Sequence, residues 1–259
     1  MSCKQQRISR ATSVQNSRTH YSLLWRLKNQ QTLIFLLLFF YGYSRKKVII
    51  LKKIPVNEYD EIIECLGENG LFSFFAPGIK KITSKNAFNL LLFSLSFLEL
   101  INSHKPNLLL RLKKATALIT LENYTNFLKD IEVIKTFLLK LSPGNCSEII
   151  NTYEKLIPLL KTKTKSVTNY LLYKILIKEG INPILDHCAE CNNLDNIVDF
   201  SFHKGGFLCS IHSKNEIDVK YLRAIYYINK DFETFDKACD YQVSEYIYNI
   251  LVAYLNENM

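Results

Sequence analysis

The spacing of apolar residues along this 259-residue chain changes near Leu121, and this change constrains its fold more than any other feature. Before that point, short segments such as residues 93–97 alternate apolar and polar side chains, with the period of two that is typical of half-buried strands. After it, apolar residues recur every three or four positions between Tyr124 and Leu141, as on one face of a helix. The sequence therefore predicts an α+β protein whose strands precede its helices.

Five short strands are predicted before the change in period, with no helical pattern among them. They cover residues 48–51, 62–66, 71–75, 93–97 and 110–113. Five strands within about 70 residues indicate a small barrel or a sandwich. Helices are expected over 124–141, 148–160 and 167–176, and at about 216–229 and 240–255.

Two cysteine-containing knuckles interrupt the helical part. The first is Cys188-Ala-Glu-Cys191, and Cys209-Ser-Ile-His212 follows after seventeen residues. Two such knuckles can complete a tetrahedral zinc site, and the Gly205-Gly206 pair between them predicts the hairpin turn of a zinc ribbon at about 186–214. Because the chain itself fills all four positions, the predicted Zn²⁺ is structural, with Cys188, Cys191, Cys209 and His212 as its ligands. His187 and His203 are alternatives to His212.

The net charge of +9 belongs to one end of the chain. Residues 1–47 hold nine cations and no acid, which leaves 24 cations and 24 acids in residues 48–259. The total charge therefore does not identify what the body of the protein binds. The odd count of seven cysteines, in a chain too long for a small disulfide scaffold, favours a reducing compartment.

Residues 1–47 are predicted to be an extension separate from the fold. They are rich in Arg and Ser, and an apolar run follows at residues 33–43. This composition is typical of an organelle transit peptide, and a basic region before an eleven-residue apolar core also resembles a secretory signal, although no A-x-A cleavage site follows. The third interpretation is a loosely tethered extension, or translation that starts upstream of the true start. No apolar run reaches the roughly 20 residues of a membrane helix, so stable membrane association is not expected.

Two clusters of basic residues suggest how a body of zero net charge could bind nucleic acid. One lies in the loop after the third strand and one on the fifth strand; their members are Lys80, Lys81 and Lys85, and Arg111, Lys113 and Lys114. Phosphates require cations at backbone spacing, so these six residues are the predicted DNA contacts, with ordinary solvated lysines as the alternative. Phe72 and Phe74 share one face of the third strand and either stack bases or fill the barrel.

Four segments, in order, resemble the bacterial recombination mediator family RecO. They are residues 48–66, 70–85, 180–191 and 200–209, and together the likeness spans about 48–255. The resemblance implies an OB-fold at 48–120, then a helical domain at 121–259 that carries the zinc ribbon. His212 departs from the fourth cysteine that is common in the family.

The same resemblance implies a function without catalysis. A RecO-like protein binds single- and double-stranded DNA, anneals complementary strands, and helps to load recombinase onto single-stranded DNA coated by the single-strand-binding protein SSB. Its implied partners are DNA, RecR and SSB, and its implied location is the cytoplasm, in association with the nucleoid. Docking of an acidic, hydrophobic SSB tail on the helical domain is part of this expectation.

Two other hypotheses stay open. The first is a zinc-containing nucleic-acid-processing enzyme, but the sequence has no G-x-x-x-x-G-K-[ST], G-x-G-x-x-G or G-x-S-x-G motif, and no histidine begins an H-x-E. No catalytic residue is therefore predicted. The second is an organelle-imported or membrane-tethered DNA-binding relative, in which residues 1–47 would be the targeting signal.

Overall fold

The structure is a computed structural model that describes residues 43–101, 109–121 and 127–259. The targeting interpretations and the apolar run up to residue 42 lie outside these residues. Among the described helices, none combines the length and the apolar character that crossing a membrane requires.

The first half of the described chain is a closed five-stranded barrel. Its strands are β1 (Tyr43–Pro55), β2 (Glu61–Gly67), β3 (Gly70–Ala76), β4 (Leu95–Ile101) and β5 (Leu110–Ile119). Their order around the barrel is β1-β2-β3-β5-β4, and a short parallel pairing joins β3 to β5 while the other pairs are antiparallel. The predicted order of strands before helices is confirmed, and the closed barrel is consistent with an OB-fold.

Strand β1 begins five residues before the predicted first strand. Arg45, Lys46 and Lys47 pair with β4 in the same antiparallel register as the apolar residues that follow. The hydrophobic pattern missed them because, on β1, only Val48–Leu51 are fully buried. Adding these three cations to the 24 of residues 48–259 gives the region from residue 43 onward 27 cations against 24 acids.

The two faces of β1 belong to two different cores. Val48 and Ile50 point into the barrel, where they are fully buried with Phe74 and other strand residues. Ile49 and Leu51 point outward and pack into the core of the helical part. This division follows from the period of two, which sends successive side chains to opposite sides of the sheet. The barrel is therefore joined to the helices through buried apolar side chains.

Six α-helices form the second half of the described residues. They are α1 (Leu128–Leu138), α2 (Ser147–Leu156), α3 (Thr164–Lys178), α4 (Val219–Ile228), α5 (Phe232–Ala238) and α6 (Tyr241–Asn258). The central helix α3 packs against α1, α2, α5 and α6 and is buried on nearly all sides. The short helix α5 was not predicted, because two turns give too few repeats to establish a period; its local signal is Asp231, which caps it by accepting from the Thr234 N–H.

A small antiparallel sheet lies between α3 and α4, where the cysteine knuckles occur. Its strands are β6 (Ile197–Ser201) and β7 (Gly206–Cys209), as the hairpin prediction required. Gly206 has a φ of +147° and lies against the backbone of Ile184, with which it forms a parallel bridge. A Cβ at this position would overlap Ile184, so the glycine is required by close backbone approach.

Candidate metal centre and nucleic-acid interface

The two knuckles come together at one end of the β6–β7 hairpin. The three thiol sulfurs and one ring nitrogen of Cys188, Cys191, Cys209 and His212 all lie within 4.8 Å of one another. Tight backbone turns shape each knuckle: the Asn192 N–H donates to the Cys188 carbonyl at 2.9 Å, and the His212 N–H donates to the Cys209 carbonyl at 2.9 Å. The four predicted ligands are therefore close enough to hold one metal ion.

The distances within this cluster match the size of a tetrahedral thiolate–imidazole site. With Zn–S bonds of about 2.3 Å, a tetrahedron has S···S edges of roughly 3.8 Å. The Cys191 and Cys209 sulfurs are 3.8 Å apart, and His212 Nδ1 lies 3.7 Å from the Cys188 sulfur and 3.3 Å from the Cys209 sulfur. The donor set and its spacing fit zinc.

Local hydrogen bonds favour thiolates at two of the three cysteines. Burial opposes ionisation of Cys188, but backbone hydrogen bonds with Cys209, Glu190 and Cys191 lower its pKa to about 6. The hydrogen bond with the His212 ring lowers the pKa of Cys209. Metals bind the thiolate and not the thiol, so these hydrogen bonds favour the ionised form of Cys188 and Cys209 that a metal ion requires.

The alternative histidines have other partners. His187 Nδ1 lies 2.7 Å from the Asp186 carboxylate, and His203 Nε2 lies 3.2 Å from the Glu257 carboxylate. Neither belongs to the group of ligand atoms that includes the three cysteines. The geometry therefore favours His212 as the fourth ligand.

The basic loop after β3 folds back against the turn between β1 and β2. The Lys80 N–H donates to the Tyr59 carbonyl at 3.0 Å, and its ammonium donates to the Asn57 carbonyl at 3.3 Å. The Lys81 ammonium lies 5.4 Å from the centroid of the Tyr59 ring. Both lysines remain exposed while the backbone that carries them is fixed.

A β-bulge places three cations of β5 on the outside of the barrel. Glu99 of β4 lies opposite Lys114, but the next residue, Leu100, lies opposite Leu112, so Lys113 is the extra residue. Strict alternation would have turned Lys114 toward the interior. Because of the bulge, Arg111, Lys113 and Lys114 are all exposed.

Asp60 fixes the start of the basic loop after β3. Its carboxylate accepts from the Gly78 N–H at 2.6 Å and from the Asn57 amide at 2.8 Å. These hydrogen bonds, followed by the positive charges of Lys81 and Arg111, hold its pKa below the ordinary value. The loop and β5 meet at Asn86, the residue after Lys85. The Asn86 side chain donates to the Lys113 carbonyl at 3.5 Å and accepts from the Ala115 N–H at 3.0 Å.

Phe72 and Phe74 of β3 differ in burial. Phe74 is completely buried in the barrel core, so it cannot stack bases; the stacking hypothesis is wrong for this residue. Phe72 is half-buried, packs against the same core, and has the Lys46 ammonium 4.9 Å from its ring centroid. Burial therefore assigns Phe74 to the barrel core, whereas Phe72 also lines a surface groove.

A groove of about 700 Å³ at the start of β1 contains cations that the sequence pattern assigned to the N-terminal extension. Arg45, Lys46 and Lys47 line it beside the half-buried Phe72. Two of the cations have acidic partners: Arg45 lies 3.7 Å from Glu99, and the Lys47 ammonium donates to Glu154 at 2.7 Å. The sequence pattern missed this groove because the apolar residues of β1 begin only at Val48, and pairing with β4 determines where the strand starts.

The lysines at the start of α3 have a structural role. Lys163 lies 2.5 Å from Asp236 of α5, and Lys165 lies 3.4 Å from Asp130 and 3.1 Å from Glu245. These ion pairs join α3 to neighbouring helices. They make this run a poor candidate for a phosphate-binding surface.

Together these features define a class: a small closed barrel with a basic outer surface, followed by helices and a Cys/His hairpin that could hold a metal. No family model matches the chain. A curated relative, the DNA repair protein RecO of Syntrophomonas wolfei, is 27% identical over 183 residues, which cover 64% of this chain and 69% of the relative. The resemblance to the RecO family, first indicated by four sequence segments, is confirmed by this relative.

Proposed function

We propose that this protein is a non-catalytic, DNA-binding recombination mediator in DNA repair. It anneals complementary strands and helps to load recombinase onto SSB-coated single-stranded DNA, acting in the cytoplasm at the nucleoid. The observation that carries the proposal is the attachment of the basic loop to β5 through Asn86, beside exposed cations of both, in a chain whose relative is a DNA repair protein.

The basic surface supports binding through the phosphate backbone. It consists of six exposed cations: Lys80, Lys81, Lys85, Arg111, Lys113 and Lys114. Cations on the phosphates release condensed counterions, which favours binding to any sequence and to both single- and double-stranded DNA. Two carboxylates, Asp60 and Glu99, lie among these cations and moderate the local charge.

A structural Zn²⁺ in the Cys/His hairpin is part of the proposal. Its four ligand positions would be filled by Cys188, Cys191, Cys209 and His212, so no position remains for water or substrate. When bound, the ion would neutralise the thiolates and fix the two knuckles relative to β6 and β7. This role predicts a contribution to folding and no contribution to a chemical step.

RecR and SSB are the proposed protein partners, and the helical domain offers one concave surface for a short peptide. A groove of about 1220 Å³ runs between α2 and α5, over the Tyr170 and Phe232 rings. Its lining also includes Lys155 and Lys237, together with the acidic residues Asp231 and Glu233 and the ion pairs Lys163–Asp236 and Lys174–Glu148. We propose that the apolar end of an SSB tail enters this groove, with its acidic residues near Lys155 and Lys237.

An annealing assay with the full chain tests the proposed function. Two complementary oligonucleotides, one carrying a fluorophore and the other a quencher, are mixed with and without the protein, free or precoated with SSB. We expect faster annealing, with an advantage that declines as salt rises. Absence of both binding and acceleration at low salt would contradict the proposal.

A further inference from the structure

Two large apolar side chains in the segment between β3 and β4 are more than three-quarters exposed beside the basic surface. Phe88 is 80% exposed, and Ile82 is fully exposed. Single exposed apolar residues are common on protein surfaces. Phe88 differs because the turn that carries it is fixed, and because it lies among the predicted DNA contacts.

Hydrogen bonds on both sides of Phe88 attach its turn to β5. The Ala115 N–H donates to the Asn86 side-chain oxygen at 3.0 Å, and the Ala117 N–H donates to the Asn89 side-chain oxygen at 3.0 Å. Within this turn, Leu90 fills the barrel core and is completely buried. With Leu90 directed inward and both asparagines docked, the backbone holds Phe88 in solvent.

The same attachments place Phe88 next to two of the cations. The Asn86 amide donates to the Lys113 carbonyl at 3.5 Å, and the Asn89 amide donates to the Lys85 carbonyl at 3.0 Å. Phe88 lies between these two asparagines in the 3-10 turn Ala87–Leu90. An exposed ring is thus fixed at the edge of a surface that carries cations at Lys85 and Lys113.

We propose that Phe88 is a stacking platform for an unpaired base of single-stranded DNA whose backbone lies along the basic surface. This inference rests on the proposed function. It gives the surface a preference for single-stranded over double-stranded DNA, which phosphate contacts alone do not provide. Bases within a duplex are already stacked and paired, so only a single strand offers a free base face to the ring. The surrounding positive charge complements a polyanion, which favours nucleic acid over an apolar protein partner.

Substitution Phe88→Ala in the full chain tests the platform. Affinity for a single-stranded oligonucleotide is expected to fall between about fivefold and 100-fold, with the salt dependence unchanged, because stacking releases no counterions. Affinity for duplex DNA is expected to stay within about twofold of the parent protein. Phe88→Tyr should retain binding, and 2-aminopurine in the oligonucleotide should be quenched by the parent and Tyr proteins but not by the Ala variant.

A matched control is Tyr241→Ala, which removes another exposed aromatic ring, this one on helix α6 of the helical domain. It should bind both DNA forms normally. Unchanged single-strand affinity of Phe88→Ala, or an equal loss on duplex, would overturn the platform. If Lys80, Lys81 and Lys85 charge reversals still weaken binding in that case, the proposed function stands without it. If those reversals also have no effect, the proposed function fails as well.

Discussion

Phe74 and Phe88 are aromatic residues of the same barrel with opposite environments. Phe74 is completely buried, whereas Phe88 is held in solvent by a docked turn. We expect Phe74→Ala to lower the free energy of unfolding by about 3–5 kcal/mol, since it leaves a cavity in the core. Phe88→Ala should change the free energy of unfolding by less than about 0.5 kcal/mol. Urea unfolding measures both; a stable Phe74→Ala protein with weakened DNA binding would contradict the core assignment.

Asp60 makes a pH-dependent contribution to the loop that carries Lys80 and Lys81. The Gly78 N–H, more than any other group, holds its pKa below the ordinary value. A carboxyl with a lowered folded-state pKa stabilises the fold above its unfolded pKa, and this contribution is lost as pH falls through the folded pKa. The thermal midpoint of the parent protein should therefore fall more than that of Asp60→Asn as pH drops below about 4.

The difference between the two midpoints, measured from pH 7 to pH 3, isolates Asp60 from other carboxyl groups. It should be largest at neutral pH and shrink in acid. Two parallel curves would show that the Asp60 carboxylate makes no pH-dependent contribution to stability.

At the scale of elements, the Cys/His hairpin is predicted to depend on a metal. Removal of zinc by a chelator should reduce amide protection in β6 and β7 and leave the strands of the barrel protected, because no residue of β6 or β7 lies in the barrel core. Cys191→Ser should lower the bound zinc, whereas Cys239→Ser, outside the cluster, should not. Hydrogen exchange and metal analysis provide the measurements; a metal-free protein with full protection of β6 and β7 would contradict a structural site.

The elements also show which features can be predicted from sequence. The knuckles and the Gly205-Gly206 turn were predictable, since their spacing is local and chemically specific. The start of β1 and the bulge at Lys113 were not, because partners on β4 determine both. Helix α5 was too short for its period to be recognised. Local patterns thus predicted the candidate metal centre, while long-range pairing determined which cations share a surface.

At the scale of the whole molecule, barrel and helices form one connected structure. Ile49 and Leu51 of β1 lie in the helical core, and the Tyr153 hydroxyl of α2 donates to the Phe93 carbonyl at 2.7 Å. We expect a single cooperative unfolding transition, and Tyr153→Phe should lower the free energy of unfolding by about 0.5–1.5 kcal/mol. Two separate transitions, monitored by far-UV circular dichroism in urea, would show that the barrel unfolds independently.

The salt dependence of single-stranded DNA binding tests the central claim most directly. Charge reversal of Lys80, Lys81 and Lys85 in the full chain should weaken binding and reduce the slope of log affinity against log salt by about 2. The matched control reverses three exposed lysines of the helical domain, Lys129, Lys140 and Lys230, and gives the same net charge. The account predicts that only the barrel variant loses slope and affinity. Equal losses in both variants, or none in either, would contradict a DNA-binding surface on the barrel.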